Sequence, residues 1–189
     1  MKQHIQEVAI RHFNAYGYEG LKMNKIAEEI GIRKQSLSYH YPSKSKLLKD
    51  TYQLVVQEEI NFIEDFLTRK FTSTKDLLWS FLEETERRYY KLPNVAFLQI
   101  MAYRAPKELD DFIGPHFREY KQKFMQNLMT LKANINLSCS PEEFAISFIT
   151  IYDGLIVQLV YEDSKRFNVA LQASFTVFWK GVTSNHTSS

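Results

Sequence analysis

Apolar side chains recur along this chain at spacings of three and four residues, the interval that lines one face of an α-helix. Tracts alternating at every second position, as a half-buried strand requires, are scarce. Ile5, Val8, Ala9 and Phe13 mark the inner face of a first helix over 2–16, which Gly17 ends because glycine tolerates the left-handed backbone that closes a helix. Ile26, Ala27 and Ile30 define a short second helix over 24–30, broken at Gly31. A third, over 34–39, stops ahead of Pro42, since the residue before a proline is driven out of helical backbone. Ser43 then caps a long fourth helix carrying Leu47, Leu48, Leu54, Val55, Ile60, Phe62, Ile63 and Phe66.

Thr72-Ser73-Thr74 starts a helix to about Tyr90, and Pro93 separates it from another through Phe97, Ile100, Met101 and Tyr103. Pro106 and Gly114-Pro115 are expected to break the chain, with a helix over 115–131 following and a polar turn over 134–140 after it. Ser140-Pro141-Glu142-Glu143 is the strongest start signal: a serine cap, proline at the first helical position, and a glutamate placed to complete a capping box. The helix it opens, to about Tyr161, is apolar on nearly every face. A last helix over 166–182 carries Phe167, Leu171, Phe175, Phe178, Trp179 and Val182, and the polar tail over 183–189 is expected to fray.

The composition agrees with an all-α globular protein of about nine helices: 44% of the 189 residues are hydrophobic, 24% are charged, and six Gly with five Pro are too few for many short strands. A single Cys139 offers neither an internal disulfide nor a Cys-based metal site, which fits a reducing cytoplasm. No signal peptide opens the chain, and the longest apolar run, 144–161, is interrupted by Asp153, so no membrane partner is expected. Net charge is +2 but unevenly spread: residues 1–50 hold nine Lys and Arg against five Asp and Glu, a net of +4, and residues 51–189 hold fifteen against seventeen, a net of −2. Such a split suits an N-terminal end that meets an anionic polymer.

The stretch 24–44 gives that polymer a place to bind. Two short helices joined through Gly31, with Ala27 small enough for close crossing and Ile30, Ile32 and Leu37 forming a shared seam, satisfy the packing of a helix-turn-helix. The second is then presented outward. Arg33, Lys34, Gln35, Ser36, Ser38, Tyr39 and His40 include no acid, as a helix entering the major groove requires, because base-edge acceptors and phosphates repel carboxylates. Arg33 or Lys34 could pair with guanine and Gln35 with adenine, while Tyr39, His40 and Lys44 suit backbone phosphates, with Asn24 at the start of the preceding helix counted among the DNA contacts.

The ordered motifs Phe13-Asn14-Ala15-Tyr16-Gly17-Tyr18, Ile26-Ala27-Glu28-Glu29-Ile30-Gly31-Ile32 and Ser38-Tyr39-His40-Tyr41-Pro42-Ser43-Lys44 resemble the head of the tetracycline-repressor (TetR) family over 5–52. One position departs from that family's pattern: Ser38 stands where a phosphate-contacting tyrosine is usual, and Tyr39, about 100° further round the helix, cannot substitute for it directly. The resemblance implies a DNA-binding domain over 1–46 and a ligand-binding and dimerisation domain over 47–189. It also implies a homodimer in which the last two helices form a four-helix bundle with a partner, through Phe144, Phe148, Ile151, Leu155 and Leu159 of one helix and Phe175, Phe178 and Trp179 of the other, with Gly154 allowing close approach.

The family's bodies hold a pocket for a small effector. Here Phe81, Phe97, Met101, Phe117, Phe124, Phe148 and Tyr152 are its candidate apolar lining, with Tyr89 and Tyr103 beside them and Glu86 and Arg104 as polar anchors. Such a lining suits an apolar effector, although each of these aromatics also reads as plain core. The resemblance therefore implies a repressor released from a palindromic operator by ligand. Alternatives are a ligand-dependent activator and a protein-interaction scaffold that does not use DNA. Catalysis is not expected: His4, His12, His40, His116 and His186 are scattered without helical metal-site spacing, and phosphate loops and nucleophile elbows are absent, so neither metal nor cofactor is implied.

Overall fold

A computed structural model describes residues 1–184, with the side chains of Arg104 and Ala133 outside the description. Nine α-helices follow one another, with no strand among the described residues: α1 (Lys2–Gly20), α2 (Met23–Glu29), α3 (Lys34–His40), α4 (Lys44–Leu67), α5 (Thr74–Lys91), α6 (Asn94–Arg104), α7 (Asp110–Thr130), α8 (Pro141–Tyr161) and α9 (Ser164–Thr183). Short 3₁₀ turns, Lys107–Leu109 and Leu131–Asn134, flank α7.

The helix ends follow local chemistry. Gly17 takes φ 66°, so the regular helix breaks there and only a final turn continues to Gly20. Ser43 Oγ accepts from the Lys46 amide at 3.1 Å, and the expected capping box of α8 is complete: the Glu143 amide donates to Ser140 Oγ at 3.1 Å while the Ser140 amide donates to Glu143 Oε2 at 2.8 Å. Asp163 caps α9 by accepting from the Arg166 amide at 2.9 Å. One boundary is corrected. Helix α7 begins at Asp110 and runs through Gly114-Pro115, which therefore do not break the chain. A proline inside a helix costs one backbone hydrogen bond and some crowding, and burial of Leu109, Ile113 and Tyr120 offsets that loss.

Contacts divide the described chain into two compact units: residues 1–59 with 92–120, and residues 60–91 with 121 onward. In the first, Ile5, Val8 and Phe13 of α1, Leu47, Tyr52 and Val55 of α4, and Phe97 and Met101 of α6 are all buried. Phe97 anchors this core, its ring centroid 5.7 Å from Phe13 and 6.0 Å from Tyr52. The second unit is centred on Phe81 of α5, which lies 5.3 Å from Phe124 and 5.8 Å from Tyr152. Helices α8 and α9 pair closely there, joined by Phe144 and Phe178 at 5.6 Å.

Length and hydropathy alone would allow α8 to cross a membrane, a test that buried core helices also pass. In this fold it spends its apolar surface on packing: Phe144, Phe148, Tyr152, Leu155, Ile156 and Leu159 are buried within the second unit. Asp153 lies at its flank, paired with the Lys121 ammonium. Burial raises the Asp153 carboxyl above the ordinary range, and the lysine opposes that shift.

Candidate nucleic-acid interface

Helices α2 and α3 have seven residues each, too few to persist on their own backbone hydrogen bonds, so what they bury decides where they sit. α2 buries Ile26 and Ala27, and α3 buries Leu37, followed at once by buried Tyr41. Between them Gly31 adopts φ 70°, the Gly31 amide reaches the Glu28 carbonyl at 3.2 Å, and the Ile32 amide reaches the Ala27 carbonyl at 2.9 Å. Those two bonds are the reverse turn that closes a helix through a left-handed residue. They send the chain into α3 at a set angle.

With Leu37 turned inward, the rest of α3 faces solvent. Arg33, Lys34, Gln35, Ser36, Ser38 and Tyr39 are exposed, His40 is half-buried, and Asn24 is exposed on α2. Tyr39 is 87% exposed, and its ring meets His40 edge-on at 5.4 Å. No carboxylate occurs between Arg33 and Ser43. This is a cationic and hydrogen-bonding ridge without an anionic member, the chemistry a DNA groove accepts.

Lys44 differs from the others. Its ammonium lies 4.3 Å above the Tyr18 ring, 3.4 Å from the Glu19 carbonyl and 3.9 Å from the Glu19 carboxylate, with only 24% of the side chain exposed. It ties the start of α4 to the end of α1, so a phosphate would have to share a cation already engaged.

Sequence reasoning missed a second cluster. Glu29, the last residue of α2, accepts from Arg11 Nη2 at 2.6 Å and pairs with His12 Nε2 at 2.7 Å, both on α1. Those hydrogen bonds, the His12 one first, hold the Glu29 carboxyl below the usual range. Helical periodicity puts His12 beside buried Phe13, but no spacing rule pairs residues 17 and 18 apart across two helices.

Residues 5–51 match the family described as bacterial regulatory proteins, tetR family. IcaR of Staphylococcus epidermidis, a helix-turn-helix negative transcriptional regulator of the biofilm operon icaADBC, is 27% identical over 194 residues, covering 95% of this chain and all of that protein. The chain is thus similar to TetR-family regulators, with the family match confined to its first quarter. Solved TetR structures share its fold: a regulator from Agrobacterium tumefaciens superposes with a TM-score of 0.76 at 18% identity, over 97% of each chain. FadR of Bacillus subtilis, solved with stearoyl-CoA, gives 0.72 at 13% identity over 96% of this chain and 99% of its own. Like those regulators, the chain joins a helix-turn-helix head, over the residues the family model matches, to a helical body.

The candidate effector residues do not all come together. Phe81, Phe124, Phe148 and Tyr152 form one cluster, with Phe124 and Tyr152 rings 5.2 Å apart, and Glu86 is half-buried with Asn168 Nδ2 at 3.4 Å. Tyr89, half-buried, stacks edge-on with Tyr90 at 5.3 Å. Phe97 and Met101 are core residues of the other unit, as is the Phe117–Tyr120 pair at 6.0 Å. Tyr103 is a correction: at 74% exposure it points to solvent and lines no enclosed pocket, because α6 turns its Phe97–Met101 side inward. The Arg104 side chain and His186 lie outside the described residues.

The apolar positions expected at a subunit interface are largely covered already within one chain. Phe144, Phe148, Leu155, Leu159, Phe175 and Phe178 are buried within a single chain, and Ile151 and Trp179 are partly covered. The stripe on α8 and α9 is wide because it serves this internal packing first. What it leaves in solvent is a second set: Ile146, Val157, Val169 and Val177 at 47–73% exposure, with Gly154 open beside them. A shallow groove lined by Ile146, Thr150, Ile151, Ala173, Val177 and Gly181 runs along this outer face.

Proposed function

We propose that this chain acts as a homodimeric repressor that binds a palindromic operator through α3 and leaves it when a small, largely apolar effector occupies its body. Residues 1–46 read DNA in this scheme, and residues 47–189 sense ligand and join the subunits. The observation that carries the reading is the exposed, acid-free surface of α3, anchored by Leu37 and aimed by the Gly31 turn. Repression is favoured by the likeness to IcaR, a negative regulator. An apolar effector is favoured by the aromatic body and by FadR, whose structure holds stearoyl-CoA.

Dimerisation draws on the exposed residues Ile146 and Val177, which share a groove, with Val157 and Val169 exposed on the same two helices, since exposed apolar surface marks interaction sites. Two-fold symmetry would then set the two α3 helices one or more DNA turns apart, at about 34–36 Å or a multiple. Ligand acts by favouring a spacing that DNA cannot accept, and linkage makes the antagonism mutual. Reading chromosomal DNA places the protein in the cytoplasm.

A salt titration on operator duplex tests the core of the reading. Neutralising Z phosphates makes log affinity fall with log salt at a slope of about −0.9Z. Affinity that ignores salt would point to the scaffold alternative, and loss of target transcription on deleting the gene would point to an activator.

A further inference from the structure

We propose that Glu29 is a positioning residue for the recognition helix: gripped by Arg11 and His12 of α1, it holds α2 at the angle that α3 inherits. The inference rests on the reading of α3 as the DNA-reading helix and adds a residue outside α3 that sets its aim.

Three observations converge on this. First, α2 has weak means of holding its own direction. It has seven residues, buries Ile26 and Ala27, and receives no side-chain cap at Lys22. Second, its C-terminal end is where polar contacts to α1 concentrate, with Arg11 Nη2 at 2.6 Å and His12 Nε2 at 2.7 Å from the two Glu29 oxygens. His12 is only 12% exposed, so its contact is shielded, whereas Glu29 is 43% exposed. Third, Glu29 stands two residues before Gly31, whose turn launches α3, and α3 has Leu37 as its buried anchor. A seven-residue helix is about 10 Å long at 1.5 Å per residue, so a tilt of about 10° moves its tip by about 2 Å. Base-edge hydrogen bonds tolerate far less.

The test uses the full chain and a duplex that the wild-type protein selects from a random-sequence library, beside a scrambled duplex. Glu29→Gln keeps shape and removes charge, while His12→Gln keeps a side-chain donor in place of the ring. At neutral pH, Glu29→Gln is expected to lose about fivefold on the selected duplex, the scale of surface ion pairs, with little loss on the scrambled one and an unchanged salt slope. His12→Gln, which keeps a donor toward Glu29, should bind both duplexes as the wild type does.

Equal losses on both duplexes for Glu29→Gln would overturn the proposal. If Glu29→Gln melts early, Arg11→Gln carries the same comparison, because it leaves the His12–Glu29 pair in place. Wild type that selects no duplex overturns the DNA reading along with the clamp. Wild type that selects one while all variants match it overturns the clamp only.

Discussion

At Gly31 a single residue sets the direction of the recognition helix. Its φ of 70° is one that residues with a Cβ rarely adopt, although a Cβ there would meet no other atom. Gly31→Ala should therefore cost about 1–2 kcal/mol through backbone strain alone, visible as a lower unfolding midpoint in denaturant. Gln35, exposed on α3 with an amide able to pair with adenine, is expected to act on recognition without touching stability. Gln35→Ala should relax discrimination at particular base pairs by about 1–3 kcal/mol with no change in melting temperature. Equal loss on specific and random duplexes would remove Gln35 from base reading. Gly31 and the acid-free run beside it were legible residue by residue. The engagement of Lys44 by Tyr18 and Glu19 was not, because it depends on where the end of α1 lies in space.

Among the elements, α8 shows local rules and packing acting together. Its start is written in Ser140-Pro141-Glu142-Glu143, and both hydrogen bonds of the capping box form. Ser140→Ala should cost about 1 kcal/mol of stability. The Glu143 carboxyl is held low by its bonds to the Ser140 amide and hydroxyl. Its contribution is therefore present above the ordinary glutamate pKa of about 4.3 and is lost as pH falls through the lower folded value. Acid unfolding of Glu143→Gln should be correspondingly less steep in that window. The proline in α7 shows the opposite balance, since a breaker in isolation is overridden by burial of Leu109, Ile113 and Tyr120 around it. Local propensity bounds a helix only where tertiary contacts do not pull harder.

For the whole molecule, the proposed dimer interface lies on what α8 and α9 leave uncovered. Val177, 73% exposed on α9 in the groove with Ile146, is the most direct probe of it. Val177→Asp should leave the monomer fold intact by circular dichroism and shift sedimentation from dimer to monomer, with operator affinity falling because two half-sites are no longer read together. A dimer that survives Val177→Asp unweakened would move the interface elsewhere.

By itself the sequence determined the helices, their caps and turns, and the family-type head, because each of these depends on residues within a few positions of one another. Only tertiary structure decided which faces were already spoken for. Phe144, Phe148, Leu155, Leu159, Phe175 and Phe178 look the same in sequence whether they meet a partner or their own chain, and the fold assigns them to its own core. The Arg11–His12–Glu29 cluster joins residues 17 and 18 apart, a proximity that exists only once α1 and α2 have packed together.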